Sequence, residues 1–209
     1  DTCYWDAIMK TTTGPGVNNM FIAKYDTSGP VMWVRNISGS GVLHTRGYGV
    51  TCDAQGNVYA CGGTKGDTYY ENTFLFTTAG DYDGMVVKFD PNGNFNWARR
   101  MGGIDSDKAY GIASDNNGSI YITGYFVGAA DFSSNITLTG SGHTDIFLAK
   151  FDTAGTLQWA EQAGDTGFDR GWDVNINVNG QILITGEFQT GHFGSNMAYS
   201  QGHEDMFLA

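Results

Sequence analysis

Tyr110-Gly111-Ile112-Ala113-Ser114-Asp115-Asn116-Asn117-Gly118-Ser119-Ile120-Tyr121-Ile122-Thr123-Gly124 decides the fold, together with Asp145-Ile146-Phe147-Leu148-Ala149-Lys150-Phe151-Asp152-Thr153-Ala154-Gly155-Thr156-Leu157-Gln158-Trp159. Both halves recur. Lys24-Tyr25-Asp26-Thr27-Ser28-Gly29 then Trp33, and Lys88-Phe89-Asp90-Pro91-Asn92-Gly93 then Trp97, precede Lys150…Trp159 at steps of 64 and 62 residues. Tyr48-Gly49-Val50 and Trp172-Asp173-Val174 flank Tyr110-Gly111-Ile112 in the same way. A repeat of this length fixes architecture first, because each unit buries its apolar faces only against its neighbours.

Within the central unit four segments alternate with period two: 109–115, 119–126, 145–152 and 156–162. The Asp-x-x-Gly runs between the first pair and the last pair read as tight hairpin turns. Glycine there takes the positive-φ position and aspartate bonds its own backbone. Apolar side chains fall on both strand faces, as expected for a sheet stacked between two others. The small Gly111 and Ala113 suit a crowded innermost strand, and the tryptophan strand is then the outermost. No segment shows helical periodicity.

Composition agrees. Thirty-one glycines, 13 Phe, 11 Tyr and 5 Trp among 209 residues fit short strands and turns. Of the 22 acids 18 are Asp, a turn-former, and the net charge of −11 with scattered Lys and Arg excludes a nucleic-acid stripe. No apolar run is long enough to span a membrane. Three cysteines give no paired framework. A turn at 53–56 that pairs 52 with 57 and 48 with 61 keeps Cys52 and Cys61 too far apart for a disulfide. Cys52 is expected beside Val50 as a small core residue.

Four antiparallel strands per unit of about 62 residues predict an all-β fold, a β-propeller of four-stranded blades. The phrases quoted above resemble the SBBP family of seven-bladed β-propeller repeats, and the resemblance runs along nearly the whole chain. It implies a secreted or surface-exposed bacterial protein, often large and often exported by type IX secretion. It carries no established catalytic motif. The Asp-x-x-Gly…Trp phrase also resembles sialidase Asp boxes and the Trp-docking repeats of quinone-cofactor propellers, with spacing that differs by one residue. The phase of the repeat gives a partial blade at 1–36, blades at 47–100 and 109–162, and a partial blade at 171–209. The expectation is an incomplete part of a larger ring of about seven blades.

In such a meander the long 2→3 connections (63–82, 127–144, 189–202) and the 4→1 connections (37–46, 101–108, 163–170) share one face, where binding surfaces are usually built. Candidate binding residues there are Tyr69, Tyr70, Asp81, Tyr82, His143, Asp165, Asp169, His192 and His203, with Phe74, Phe76 and Tyr199 nearby. Aromatic rings with Asp and Asn can hold sugar rings. Phe132 and Phe193 occupy matching positions and are expected to pin their connections, and 136–139 to form an extra short strand. His143 and His203 lie on adjacent units, too far apart to share zinc. Asp105 and Asp107 are weak calcium candidates, yet with Asp165 and Asp169 they read better as solvated turn residues. Trp33, Trp97 and Trp159, with Asp26, Asp90 and Asp152, are expected to be framework, the tryptophans stapling neighbouring outer strands.

The function expected is a non-enzymatic binding or scaffold module that presents its long connections to a protein or polysaccharide partner at the cell surface. No nucleic acid, membrane insertion or cofactor is expected, calcium apart. Two alternatives stay open: a propeller hydrolase or lyase completed by blades outside the chain, and a structural segment of a large adhesin. Gly49, Gly111 and Asp173 on the innermost strands offer a single carboxylate, which weakens the enzyme reading.

Overall fold

The structure, a computed structural model, describes residues 2–5, 8–11, 18–40, 44–199 and 205–209. All regular elements among them are strands. Thr2–Trp5 (β1) and Ile8–Thr11 (β2) pair as a separate hairpin. Met20–Tyr25 (β3) and Val31–Gly39 (β4) are the described part of the first unit. The second contains Thr45–Cys52 (β5), Val58–Tyr70 (β6), Thr73–Phe89 (β7) and Phe95–Gly103 (β8). The third contains Lys108–Ser114 (β9), Ile120–Phe126 (β10), Ala129–Ser133 (β11), Ile136–Thr139 (β12), Asp145–Phe151 (β13) and Leu157–Ala163 (β14). The fourth contains Arg170–Ile176 (β15), Ile182–Phe188 (β16), Thr190–Phe193 (β17), Asn196–Tyr199 (β18) and Asp205–Leu208 (β19).

The third unit is a four-stranded antiparallel meander in the order β9-β10-β13-β14. The second repeats it as β5-β6-β7-β8, and the fourth shows its first three strands, β15-β16-β19. Both turn families form as the sequence predicts. Gly93 and Gly155 take φ of 80° and 77°, and their amides close the turn on Asp90 and Asp152 carbonyls at 2.9 and 3.0 Å. The Asp90 carboxylate accepts from the amides of Asn92 and Asn94, and that of Asp152 from Ala154 and Thr156. Asp26 accepts from the Ser28 amide and hydroxyl. These donors hold the Asp26 and Asp90 carboxyls below the ordinary range.

Burial follows the alternation. Ile120 and Ile122 face the second unit, in a core with Tyr59, Cys61, Val86, Phe147 and Phe151. Tyr121, between them, faces the fourth unit and packs with Ile146, Val174, Ile184 and Phe207. A third core joins Met20, Ile22, Trp33 and Ile37 to Val58, Met85, Val87 and Phe89. Each core lies between two sheets, so no unit is stable by itself. The innermost strands β5, β9 and β15 abut in succession. A Cβ on Gly111 would come within 2.6 Å of the Asp173 Cα, so only glycine permits that approach.

Three expectations need correction. The 2→3 connections are ordered hairpins rather than loops: β6 and β7 continue past the core, while β11–β12 and β17–β18 form separate ones. The extra strand expected at 136–139 is there, but it is half of a hairpin. Each hairpin reaches the outer strand of the preceding unit, through Ser38↔Tyr69, Gly102↔Asp131 and the bridge Gly164↔His192. The first two clasps run the first and second units and the β11–β12 hairpin of the third into one eight-stranded sheet, while β9-β10-β13-β14 stays separate. Second, the ladder after the first turn pairs Cys52 with Val58 and Gly49 with Cys61. Asp53 gathers the amides of Gln55 and Asn57, enclosing one more residue than expected, and a bulge at Gly47/Gly49 restores the register. Third, Cys52 is exposed, because the face it shares with Val50 is left uncovered on the innermost strand. Cys61 is buried and free, and burial pushes its thiol up to about 12.

Candidate binding face at the hairpin end of the sheets

Two sets of repeated side chains must be separated before a site can be found. On the outer rim, one unit grips the turn of the next. The Trp33 indole and the Lys24 ammonium both donate to the Pro91 carbonyl, at 3.2 and 2.9 Å, and Arg35 Nε donates to Gly93 O at 2.6 Å. One unit on, Trp97 and Lys88 donate to Thr153 O at 3.2 and 2.8 Å, and Arg99 Nε to Gly155 O at 2.8 Å. Trp33 and Trp97, expected to staple neighbouring outer strands, bond instead to the turn of the next unit. The indole, ammonium and Nε donors of these two grips are thus bonded within the framework.

The opposite end of the sheets differs. Tyr48, Tyr110 and Trp172 stand at equivalent positions near the start of the three innermost strands, and their rings touch. Centroids are 4.9 Å apart for Tyr48–Tyr110 and 4.6 Å for Tyr110–Trp172. Tyr48 and Trp172 remain 41% and 42% exposed, so the row is open to a ligand. Burial, joined by Tyr125 and Tyr48, raises the Tyr110 phenol and keeps it a neutral donor.

Two residues before each ring stands a cation: Arg46, Lys108 and Arg170. Lys108 Nζ lies 5.2 Å over the Tyr82 ring and 5.8 Å over Tyr125. Arg170 covers Tyr125 and Phe168, and its Nη1 donates to Glu187 at 2.7 Å. Arg46 is exposed. On a chain of net charge −11 this is a local band of aromatic rings and cations. Such rings stack on flat apolar faces while their polar edges and the cations take hydrogen bonds or anionic groups. Sequence reasoning missed the row, since the Tyr48-Gly49 phrase recurs as part of the repeat that fixes the architecture. The available signal was a cation two residues ahead of an aromatic in all three copies.

The residues expected to form the site divide around this band. Tyr82 belongs to it. Asp81 pairs with Lys65 beside it. Tyr69 packs edge-on against exposed Phe74, away from the row. Tyr70 stacks on Phe95 at 4.9 Å and packs against Phe89, so it pins its hairpin to the core. Phe132 does the same against Phe126 and Phe147, and Phe193 against Phe188 and Phe207. His143 stacks on Phe168 at 4.7 Å. His192 lies 3.9 Å from Asp165, at a clasp rather than in the row. His203 lies outside the described residues.

Asp107 and Asp169 are not solvated turn residues. Both are buried and act as junction clips. The Asp107 carboxylate accepts from the amides of Gly103 and Val127, at 2.7 and 2.9 Å, and Asp169 from those of Asp165 and Gln189. Each aspartate thus ties a 4→1 connection to the base of the following hairpin. Burial lifts the Asp107 carboxyl to about 7, against those two hydrogen bonds, and the charges of Asp83 and Asp105 add to the rise. Burial raises Asp83 and Asp145 as well. Asp105 is exposed, and among the described residues no group of three or more His, Cys, Asp or Glu is placed to hold a metal ion.

Comparison with known proteins fits this architecture. The chain is 25% identical to an uncharacterized WD repeat-containing protein of Acanthamoeba polyphaga mimivirus, over 84% of this chain and 15% of that protein. It is 25% identical to the regulatory protein FlaEY of Caulobacter vibrioides, over 62% of this chain and 14% of that protein. The chain therefore spans about 15% of the length of these curated relatives. These likenesses and the repeated sheets describe a repeat-based binding or scaffold module. Its residues 96–125, from the Trp97 strand through Tyr110 to Tyr125, match the family model of the SBBP beta-propeller repeat.

Proposed function

We propose that this chain is part of a larger β-propeller, a ring of about seven blades with units of about 62 residues. In this reading it is a non-enzymatic binding module at a bacterial cell surface or outside the cell. The observation that carries the reading is the contrast between the two ends of the sheets. The donors of the Trp33 and Trp97 grips on the rim are consumed by framework, whereas the row Tyr48–Tyr110–Trp172 presents touching rings to solvent.

The chemistry of that row favours a polysaccharide. Sugar rings offer axial C–H faces for stacking and hydroxyls for hydrogen bonds, and Arg46, Lys108 and Arg170 favour a saccharide with carboxylate or sulfate groups. Repeated binding elements at a fixed step suit a repeating polymer, because each added contact raises the effective concentration for the next.

Titration of neutral and acidic polysaccharides into the chain tests this directly. Acidic polymers are expected to bind, with at least tenfold loss on Trp172→Ala and progressive loss as salt rises. Equal binding of wild type and Trp172→Ala would sink the reading. Antibody labelling of intact cells checks the surface location, and images of the longer protein check the ring.

A further inference from the structure

The cations of the aromatic band form one stack with its rings, and their charges are not equally free. Lys65 Nζ lies 5.7 Å over the Tyr82 ring, and Lys108 Nζ lies 5.2 Å over the same ring. Lys108 is also 5.8 Å over Tyr125, which Arg170 covers at 5.5 Å, with Phe168 at 5.6 Å from the same guanidinium. Cation and ring thus alternate from β6 of the second unit to β15 of the fourth. The middle of the stack lies at the junction of the second and third units, which is described on both sides.

The ends of the stack are neutralised and its middle is not. Lys65 pairs with the Asp81 carboxylate, and Arg170 Nη1 lies 2.7 Å from Glu187 Oε1. Among the described residues no carboxylate stands within ion-pair distance of Lys108. The strand register explains the difference. Lys108 and Arg170 hold the same repeat position, yet Tyr125 stands opposite the first and Glu187 opposite the second. Arg46, the remaining member of the series, stands opposite Gly63 and belongs to the junction with the first unit, of which β3 and β4 are the described part.

A carboxylate cancels the charge it holds, whereas an aromatic face holds an ammonium in place and leaves its charge whole. The Lys108 stem is seated too, since a Cβ on Gly63 would lie 3.3 Å from its Cγ. Lys108 is therefore a half-buried cation, fixed in position, with its charge left for a ligand. The neighbouring acids select among ligands. A polymer with an anionic group on every sugar brings further charges toward Asp81 and Glu187, where they are repelled. One with acids spaced by neutral sugars sets its acid on Lys108 and stacks neutral faces on Tyr110 and Trp172. The Tyr110 ring lies 5.7 Å from Tyr125, beside the Lys108 ammonium.

We infer that Lys108 is the specificity-determining residue of this face, and that it takes the carboxylate of a polysaccharide whose acids are spaced by neutral sugars, in preference to a densely sulfated chain. The inference rests on the reading of the face as a polysaccharide site, and it names which acidic polymer that site takes.

The test is calorimetric titration of hyaluronan, heparin and dextran into the 209-residue chain. Hyaluronan carries a carboxylate on alternate sugars, heparin is densely sulfated and dextran is neutral. Hyaluronan should bind about tenfold more tightly than either of the others, and less tightly as salt rises. Lys108→Met keeps the stem and removes the charge. It should cost hyaluronan about tenfold, abolish the salt dependence and leave dextran unchanged. Lys108→Arg should hold hyaluronan binding within about threefold of wild type, and Glu187→Gln, which frees Arg170, should raise heparin binding by about threefold or more. Melting curves check that each variant folds. Hyaluronan binding indifferent to Lys108→Met, or heparin bound more tightly than hyaluronan, would overturn the role of Lys108 and leave Trp172-dependent polysaccharide binding standing. No binding of any of the three polymers would overturn the polysaccharide reading and this inference with it.

Discussion

The two ends of the sheets use the same repeat for opposite purposes. On the rim, Trp33 and Trp97 have the same partner, a carbonyl at the second turn residue, at the same 3.2 Å. At the hairpin end, Tyr48, Tyr110 and Trp172 share a position but partly face solvent, and hairpins of different build surround them. A repeated residue is framework where its polar atoms are satisfied within the fold. Where they are not, the same periodicity builds a surface. The lesson is that recurrence alone does not separate structure from function, while satisfaction of hydrogen bonds does.

The comparison breaks most severely at the innermost strands, which support both ends. Gly111→Val places a side chain against the backbone of Asp173 and Val174, and should cost about 3 kcal/mol or more. Urea unfolding would then show a loss of cooperativity as well as a lower midpoint.

Next in size is the tryptophan series. Trp97→Ala removes a ring packed against Tyr59 and Gly155 together with its bond to Thr153, at about 2–3 kcal/mol. Trp159→Ala removes a ring that packs on Tyr121 and has no hydrogen-bond acceptor among the described residues, and should cost less, about 1 kcal/mol. Equal losses in urea would mean that the packing on the tyrosine, rather than the grip, carries the stability.

The buried clip gives a pH effect of intermediate size. A carboxyl held near 7 in the fold and near 3.8 unfolded keeps its proton better when folded. Its contribution is therefore complete below about pH 4 and is lost as pH rises toward about 7. Melting temperature should fall over that window by a few degrees, and Asp107→Asn should flatten the slope. Below pH 4 the sign reverses, because Asp26, Asp53 and Asp90 are held low and lose their bonds on protonation. For Asp53, hydrogen bonds from Asn57, Tyr59 and Gln55 outweigh the opposing effect of its burial.

The smallest expected change in stability is that of Trp172→Ala, within about 0.5 kcal/mol, because the ring is surface-exposed. Its effect should appear in polysaccharide binding. A large stability loss with unchanged binding would return the aromatic row to framework.

Much of this was readable from the sequence, and for a physical reason. Turns such as Asp90–Gly93 are local: an aspartate, a glycine at positive φ and two amides lie within five residues. The tryptophan staples recur with those turns and are read with them. The clasps are different, since Gly102↔Asp131 is a pairing of backbone groups across units and leaves no side-chain signature. Asp105 and Asp107 are the same letter two residues apart, yet one is exposed and the other buried on two amides. That distinction comes from the hairpin base that folds over Asp107, which spacing alone does not reveal. Cys52 does share a face with Val50, but that face of the innermost strand is uncovered, which alternation alone does not reveal.

The clasps also impose a schedule on synthesis. The outer strand of each unit leaves the ribosome before the hairpin that covers its end, about 30 residues later in every case. At a translation rate of roughly 5–20 residues per second that edge stays open for about 2–6 s. Each unit is sealed by its successor, so nascent chains carry one raw edge that moves forward with translation. A stall just after an outer strand would leave that edge free to pair with another chain, and slow codons there should raise aggregation more than slow codons after a hairpin.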